Sequence, residues 1–421
     1  MIQKVFSFSR KFKSGFFYTL SSLLTSIVNI IAGFLVLRWV GPDEMGIWQA
    51  LLIINTYAVV GNLGVTTGLA RDFPYLLGKG ESERAISMAS TAKAFTFFCS
   101  VISFIILFIL LIYFILVNPQ SLTFILSLTA TILILTINFY KDFVITLFRT
   151  NKAFNKLSVV YLIQSIISIV LLILIFKFHY YGFIIYNVLV SFISLILLSI
   201  ISPFKIKNEF NRSNWISLVK TGFPLFLMSY LFGVSKSFIK FAILYFGGIQ
   251  LLGLFAPVFA IRNGINTLPK VISQYLYPKF SYKYGVTGDQ SLLWKPARNI
   301  SFLLLIGLLI VILPIYYYMP EIIGTFFPKY FDSVFPSRLS LLSGIAFSAF
   351  IGVFVLNSVK GYKERLIITV TYICLSAILP FGLPFFFTDK ISALAWSILL
   401  IDVIYFIVAY IITRKKLLSN A

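Results

Sequence analysis

Between Lys93 and Lys141 the chain carries no charged residue, and the interval is broken only by Asn118-Pro119-Gln120. The flanking runs are apolar at nearly every position, without the two-residue alternation of a half-buried strand. A helix needs roughly 20 apolar residues to cross a bilayer. Lipid leaves no partner for an open backbone, so a spanning segment must satisfy its amides internally. The interval therefore reads as a helical hairpin crossing a membrane twice, with its tight turn at Asn118-Pro119-Gln120. The rest of the chain follows suit. It is 59% hydrophobic and 11% charged, against roughly 25% charged in soluble domains.

Twelve stretches qualify as spans: 15–39, 46–68, 91–117, 121–147, 157–177, 182–202, 221–246, 251–278, 297–319, 335–358, 366–387 and 391–413. The expected fold class is an all-α polytopic membrane protein. The first stretch is too long for the apolar core of a cleaved signal and reads as a retained helix. With the N-terminus in the cytoplasm, twenty-six of the 35 Lys and Arg residues fall on the inner side and five on the outer. That bias sets both termini inside. It also accounts for the net charge of +22 without nucleic acid as a partner. No connection is long enough for a soluble catalytic domain. Cys99 and Cys374 lie inside apolar runs and read as buried thiols.

The remaining four cations, Lys236, Lys240, Arg262 and Lys270, lie between Leu225 and Tyr277, where there is no acid. Each costs about 2.5–3.5 kcal/mol at the bilayer centre on insertion scales. They are tolerable facing a wet or protein-lined interior, and such an interior suits an anionic cargo. Lys236 and Lys240, four apart, share a helical face. Lys240 and Lys270 lie nearer the helix ends, where long side chains reach the interface.

A shift of 207 residues lays Gly41, Gly46 and Trp48 on Gly248, Gly253 and Phe255. Both segments read as short outer turns between two spans. With six spans on each side, the chain reads as a duplication: an N-terminal lobe, 1–205, and a C-terminal lobe, 206–421. An even number of spans gives both lobes one orientation, an arrangement that places a substrate site between them. The shift lays Asn29 on Lys236, Gly33 on Lys240 and Asn55 on Arg262, neutral groups where the second half has cations. Asn55 and Asn62, seven apart, are expected on one face. These asparagines either line the cavity or bond neighbouring helices.

The turn Val40-Gly41-Pro42-Asp43-Glu44-Met45-Gly46-Ile47-Trp48 resembles the first outer turn of bacterial Wzx-type polysaccharide flippases. Thr221-Gly222-Phe223-Pro224-Leu225 resembles that family's start of helix seven. Gly253–Ser281, ending Tyr275-Leu276-Tyr277-Pro278-Lys279-Phe280-Ser281, resembles its helix eight. The resemblance implies the multidrug/oligosaccharidyl-lipid/polysaccharide exporter superfamily, two six-helix lobes and alternating access. It implies flipping of an undecaprenyl-diphosphate-linked oligosaccharide across a bacterial inner membrane, for O-antigen, lipopolysaccharide or other surface polysaccharide. A polysaccharide polymerase is a possible partner on this reading.

Asp402 lies deep in the last span. It is a candidate to carry a coupling ion, proton or sodium, or to form a structural pair. Asp142 reads as locally paired with Lys141 or Arg149. His179 reads as an interfacial residue in an outer turn. Gly64 to Gly68 is a GxxxG pattern for close helix packing. Pro224, Pro257 and Pro269, with Gly222, Gly233 and Gly264, permit bending of the two cationic helices. No metal, cofactor or nucleophile–base constellation is expected, so the chain is not read as an enzyme. Two alternatives are a drug/cation antiporter of the same superfamily, which needs an acidic cavity, and a membrane glycosyltransferase or polymerase, which needs a catalytic loop.

Overall fold

A computed structural model describes residues 2–118, 120–202, 205–348, 350–359 and 361–419. Pro119 of the expected hairpin turn and Lys360 of the inner cations lie outside these. The described elements are helical: α1 (Ile2–Trp39), α2 (Pro42–Ala58), α3 (Val65–Gly78), α4 (Ser82–Leu116), α5 (Leu122–Thr150), α6 (Phe154–Ile201), α7 (Arg212–Leu254), α8 (Ala256–Thr287), α9 (Trp294–Tyr317), α10 (Met319–Phe326), α11 (Val334–Ser348), α12 (Gly352–Ser358), α13 (Tyr362–Gly382) and α14 (Lys390–Leu418). Nine candidate spans are long and apolar enough to cross a membrane, or ten if the bent pair α2–α3 is one span. Two helices bear on the remaining expected spans. The 48-residue α6 reverses direction at His179 (φ 50°, ψ −120°), giving two arms. The 32-residue α8 has the length, and its charges keep it below an apolarity threshold. The described residues thus show nine or ten of the twelve expected spans as candidates.

The backbone corrects the sequence reading at four places. The expected helix over 46–68 breaks after Ala58 into a 3₁₀ turn, with Leu63 and Gly64 at positive φ, and resumes as α3 bent by 47°. The span 335–358 is two pieces, α11 and α12. In α7 the break falls at Gly248 (φ 67°), and Pro224 sits within regular helix. Arg149 donates to the Tyr18 hydroxyl at 3.1 Å, and no ion pair joins it to Asp142 among the described residues.

The chain divides into two compact units. The first comprises Met1–Asn29 and Ala50–Tyr230. Its centre is an apolar cluster that includes Leu69, Phe73, Phe143, Phe148 and Leu157, all buried. The α4–α5 hairpin is stitched by Ser100, which donates to the Thr136 carbonyl at 2.6 Å. The two arms of α6 close on each other because Gly182 has no side chain: a Cβ there would overlap the Leu174 carbonyl. The GxxxG pair does what its spacing predicts. Gly64 abuts the backbone of Gly222 and Gly68 that of Leu218, so α3 meets the start of α7 backbone to backbone. Cys99 is buried.

The second unit comprises Ile30–Gln49 and Leu231–Ala421. Its core includes Trp294, Phe350, Val355, Leu356 and Leu417. Cys374 of α13 is exposed, contrary to expectation. The repeat has a physical counterpart here. A Cβ on Gly46 would overlap the Ile249 carbonyl, and a Cβ on Gly253 would overlap the Pro42 carbonyl. The 207-residue shift converts each contact into the other, so the two outer turns grip each other reciprocally.

Large apolar side chains stand open along α4, with Ile106 60%, Ile109 61% and Leu116 75% exposed. Contiguous exposure of this kind is foreign to a protein surrounded by water, and it suits one surrounded by lipid.

Gly253→Ala should destabilise the protein by about 1–3 kcal/mol or more, since the methyl meets backbone that has no rotamer to yield. Gly307→Ala, which meets nothing within 4 Å, should be neutral or slightly stabilising. Thermal unfolding in detergent separates the two, and equal melting of both variants would contradict the packing described.

Candidate functional site

The second unit gathers the cationic helices around one buried carboxylate. Asp402, near the middle of α14, has no exposed surface. Arg262 of α8 reaches it with Nη2 2.6 Å from Oδ2. Ser343 of α11 donates to the same oxygen. The Tyr372 hydroxyl of α13 lies 3.4 Å from Oδ1. Four helices thus converge on one carboxylate, as a buried charge requires. The approach of α11 to α8 follows from a serine face. Ser337, Ser340 and Ser343 recur every three residues, all buried. Ser340 donates to the Val258 carbonyl at 3.1 Å, and Ser348 to the Asn266 side chain at 3.0 Å. Small residues let helix backbones approach, and their hydroxyls bond across.

Above the pair lies an aromatic box. Phe232 and Tyr372 have ring centroids 4.8 Å apart, Phe347 stacks on Tyr405 at 5.1 Å, and Tyr372 meets Tyr405 at 5.2 Å. Lys236 stands over this box, its Nζ 5.0 Å from the Phe232 ring and 5.1 Å from that of Phe347. The rings steady the ammonium by cation–π attraction. Lys236 is exposed and has no ion-pair partner among the described residues. One turn on, Lys240 donates to Gln49 Oε1 at 2.8 Å and lies 5.1 Å from the Phe259 ring. Lys270 of α8 is exposed, likewise without an acid among the described residues.

The four cations therefore differ in state. Arg262, only 13% exposed at its side chain, has its charge cancelled by Asp402. Lys240 is held by a neutral amide. Lys236 and Lys270 present open positive charge. Asp402 makes the expected pair, with Arg262.

The asparagines of the first unit do not act together. Asn29 on α1 is exposed. Asn55 is half-buried, and its Oδ1 has no hydrogen-bond partner among the described residues. Asn62 is buried and accepts from the Thr66 amide at 3.2 Å and its hydroxyl at 3.3 Å, serving the first turn of α3. The expected shared face of Asn55 and Asn62 is lost, because the 3₁₀ turn from Val59 interrupts the helical period between them. Sequence reasoning missed Ser343, Tyr372, Tyr405 and Gln49. The three-residue serine recurrence was a visible signal for the first, whereas aromatic residues are too common in this chain to single out the others.

Replacing Asp402 alone by Ala should cost about 3–5 kcal/mol, since it strands a buried guanidinium. Arg262→Met combined with Asp402→Leu should recover most of that loss. Thermal unfolding of purified variants measures both. A double variant no more stable than the single one would show that the pair does not hold these helices.

A family model described as polysaccharide biosynthesis protein matches residues 35–336. No curated protein matches the sequence. Among solved structures, an outward-facing multidrug resistance MATE family transporter of the MOP superfamily is similar. It is 14% identical, with 97% of this chain and 95% of that one covered and a TM-score of 0.66. An inward-facing structure of such a transporter is 13% identical over 94% and 95% of the two chains, with a TM-score of 0.64. A MOP superfamily transporter from Pyrococcus furiosus, described as having a binding pocket of reversed polarity that suggests a different function, is 14% identical. There the coverage is 97% and 95% and the TM-score 0.62. At these identities the likeness is one of fold.

Proposed function

The chain belongs to the polysaccharide biosynthesis protein family, and we propose that it flips an undecaprenyl-diphosphate-linked oligosaccharide across the bacterial inner membrane. Its termini then lie in the cytoplasm, and the halves 1–205 and 206–421 serve as the repeated lobes of an alternating-access cycle. The carrying observation is Lys236: an exposed ammonium, seated on Phe232 and Phe347, in a site whose buried acid is already taken by Arg262. A diphosphate is a compact multiple anion, and lysine meets it as a mobile point charge. Lys240 and Lys270 add attraction at longer range. The aromatic box beneath Lys236 offers apolar faces to the cargo.

Arg262 and Asp402 form the coupling element of this proposal. Arginine binds phosphate through two parallel donors, but here its fork is engaged by a carboxylate. Protonation of Asp402 frees the guanidinium for the diphosphate, and loss of the proton restores the ion pair. Asp402 is in this way the candidate coupling residue, with the proton as its ion. Asn29 and Asn55 are proposed as neutral contacts to sugar hydroxyls, and Asn62, buried, serves the first turn of α3.

The antiporter alternative fares worse on charge. A cationic drug brought to this site meets uncancelled lysines, and its natural counterion, Asp402, is buried and paired. The fold itself accommodates pockets of different polarity, as the description of the Pyrococcus furiosus transporter indicates.

Reconstitution in vesicles with a fluorescent prenyl-diphosphate-linked oligosaccharide tests the reading. The protein should move the lipid between leaflets. Lys236→Gln should slow that movement about ten-fold or more at limiting substrate, as a lost charge-assisted contact of about 1.5–3 kcal/mol implies. Lys236→Arg should retain most of it. Unchanged flipping by Lys236→Gln, or efflux of a cationic dye in place of lipid movement, would contradict the proposal.

A further inference from the structure

Each unit holds an open pocket that the proposed transport site does not use. In the first unit a cavity of about 350 Å³ is lined by Lys93, Phe97 and Ser100 of α4, Tyr140 of α5 and Asn208. In the second a cavity of about 330 Å³ is lined by Arg298, Asn299 and Phe302 of α9 and by Phe350 and Tyr410. The two share a chemical set: one cation, one exposed amide, one tyrosine, and a phenylalanine four residues beyond the cation on the same helical face. Lys93 with Phe97 and Arg298 with Phe302 lie 205 residues apart, close to the 207-residue repeat but two positions out of its register.

Depth gives the pockets their meaning. Lys93 is the last charge before the uncharged interval of α4, and Arg298 the last before that of α9. Both cations therefore stand where the apolar span begins, at head-group level on the lysine-rich side. Phe97 and Phe302, one turn deeper, are 51% and 60% exposed, and at that depth they face acyl chains. Arg298 makes no hydrogen bond or ion pair with another described residue. Lys93 spends one of its three donors on the Ile206 carbonyl at 2.6 Å and has no other acceptor among the described residues. No acid lines either pocket. A polar end with a single positive charge and an apolar end toward the bilayer centre is the outline of a phospholipid. Basic pockets between membrane helices on the cytoplasmic side bind anionic lipid head groups.

We propose that the protein carries two sites, at Lys93 and at Arg298, for the phosphodiester head group of an anionic phospholipid of the surrounding leaflet. One cation per site matches the single charge of a phosphodiester. A lipid diphosphate, with its greater charge, belongs to the lysines of α7 and α8. This inference is independent of the transport reading.

Native mass spectrometry of the purified full-length protein, with phosphatidylglycerol and phosphatidylcholine of identical chains, decides it. The wild type should retain two phosphatidylglycerol molecules, with a preference of about five-fold per site, the order expected for one basic residue at an anionic surface. Lys93→Gln and Arg298→Gln should each lose one, and the pair of substitutions both. Lys93→Arg and Arg298→Lys should keep them. Because Lys93 also holds the Ile206 carbonyl, a Lys93→Gln chain that fails to fold leaves Arg298→Gln to decide alone: one preferred lipid must disappear. The proposal falls if the doubly substituted protein keeps the preference or the wild type does not distinguish the two lipids. It falls equally if prenyl diphosphate displaces phosphatidylglycerol from both sites at equal concentration.

Discussion

The Arg262–Asp402 pair is the constraint on which the second unit depends. A carboxylate with no exposed surface in an apolar bundle must find a counter-charge and further donors. Arg262, Ser343 and Tyr372 supply them from three different helices. The pair is weak evidence for net stability, because desolvation offsets much of its attraction. Its value is geometric, since it fixes how α8, α11, α13 and α14 meet. It also shapes the charge of the site: with the buried acid engaged by Arg262, no acid pairs with Lys236, Lys240 or Lys270 among the described residues.

The repeat explains why this charge sits in one half. The outer turns of both halves keep the glycines that let them grip reciprocally, Gly46 on Ile249 and Gly253 on Pro42. Packing by backbone tolerates no side chain, so these positions are tied in both copies. The cationic positions of the second half carry no such tie. There the second half holds Lys236, Lys240 and Arg262 where the first holds Asn29, Gly33 and Asn55.

Much of the fold was legible because membrane spans are set by length and apolarity, which a sequence displays directly. The charge-free interval from Lys93 to Lys141 gave the α4–α5 hairpin, and Gly64 and Gly68 gave a backbone contact. The break between α2 and α3 was hidden inside an otherwise apolar span, although Gly61, Asn62 and Gly64 were turn signals there, and the bend at Leu63 and Gly64 is a matter of positive φ. That break also removed the common face of Asn55 and Asn62. The cations of the site were visible as costly residues in apolar spans. Their states were not: Arg262 and Asp402 lie 140 residues apart, and nothing local in either helix names the partner. Lys240 likewise ends on Gln49, 191 residues away.

On this proposal Lys236, without an acid partner because the buried acid is paired with Arg262, recognises the anionic part of the cargo. Binding of a prenyl diphosphate and of the corresponding uncharged prenol to the purified protein measures this most directly. The account predicts that the wild type prefers the diphosphate by about ten-fold or more, as contacts of about 1.5–3 kcal/mol imply. Most of that preference should disappear in Lys236→Gln and weaken with added salt, as screening of an accessible charge requires. Equal affinity for the two lipids, or a preference indifferent to Lys236, would contradict it.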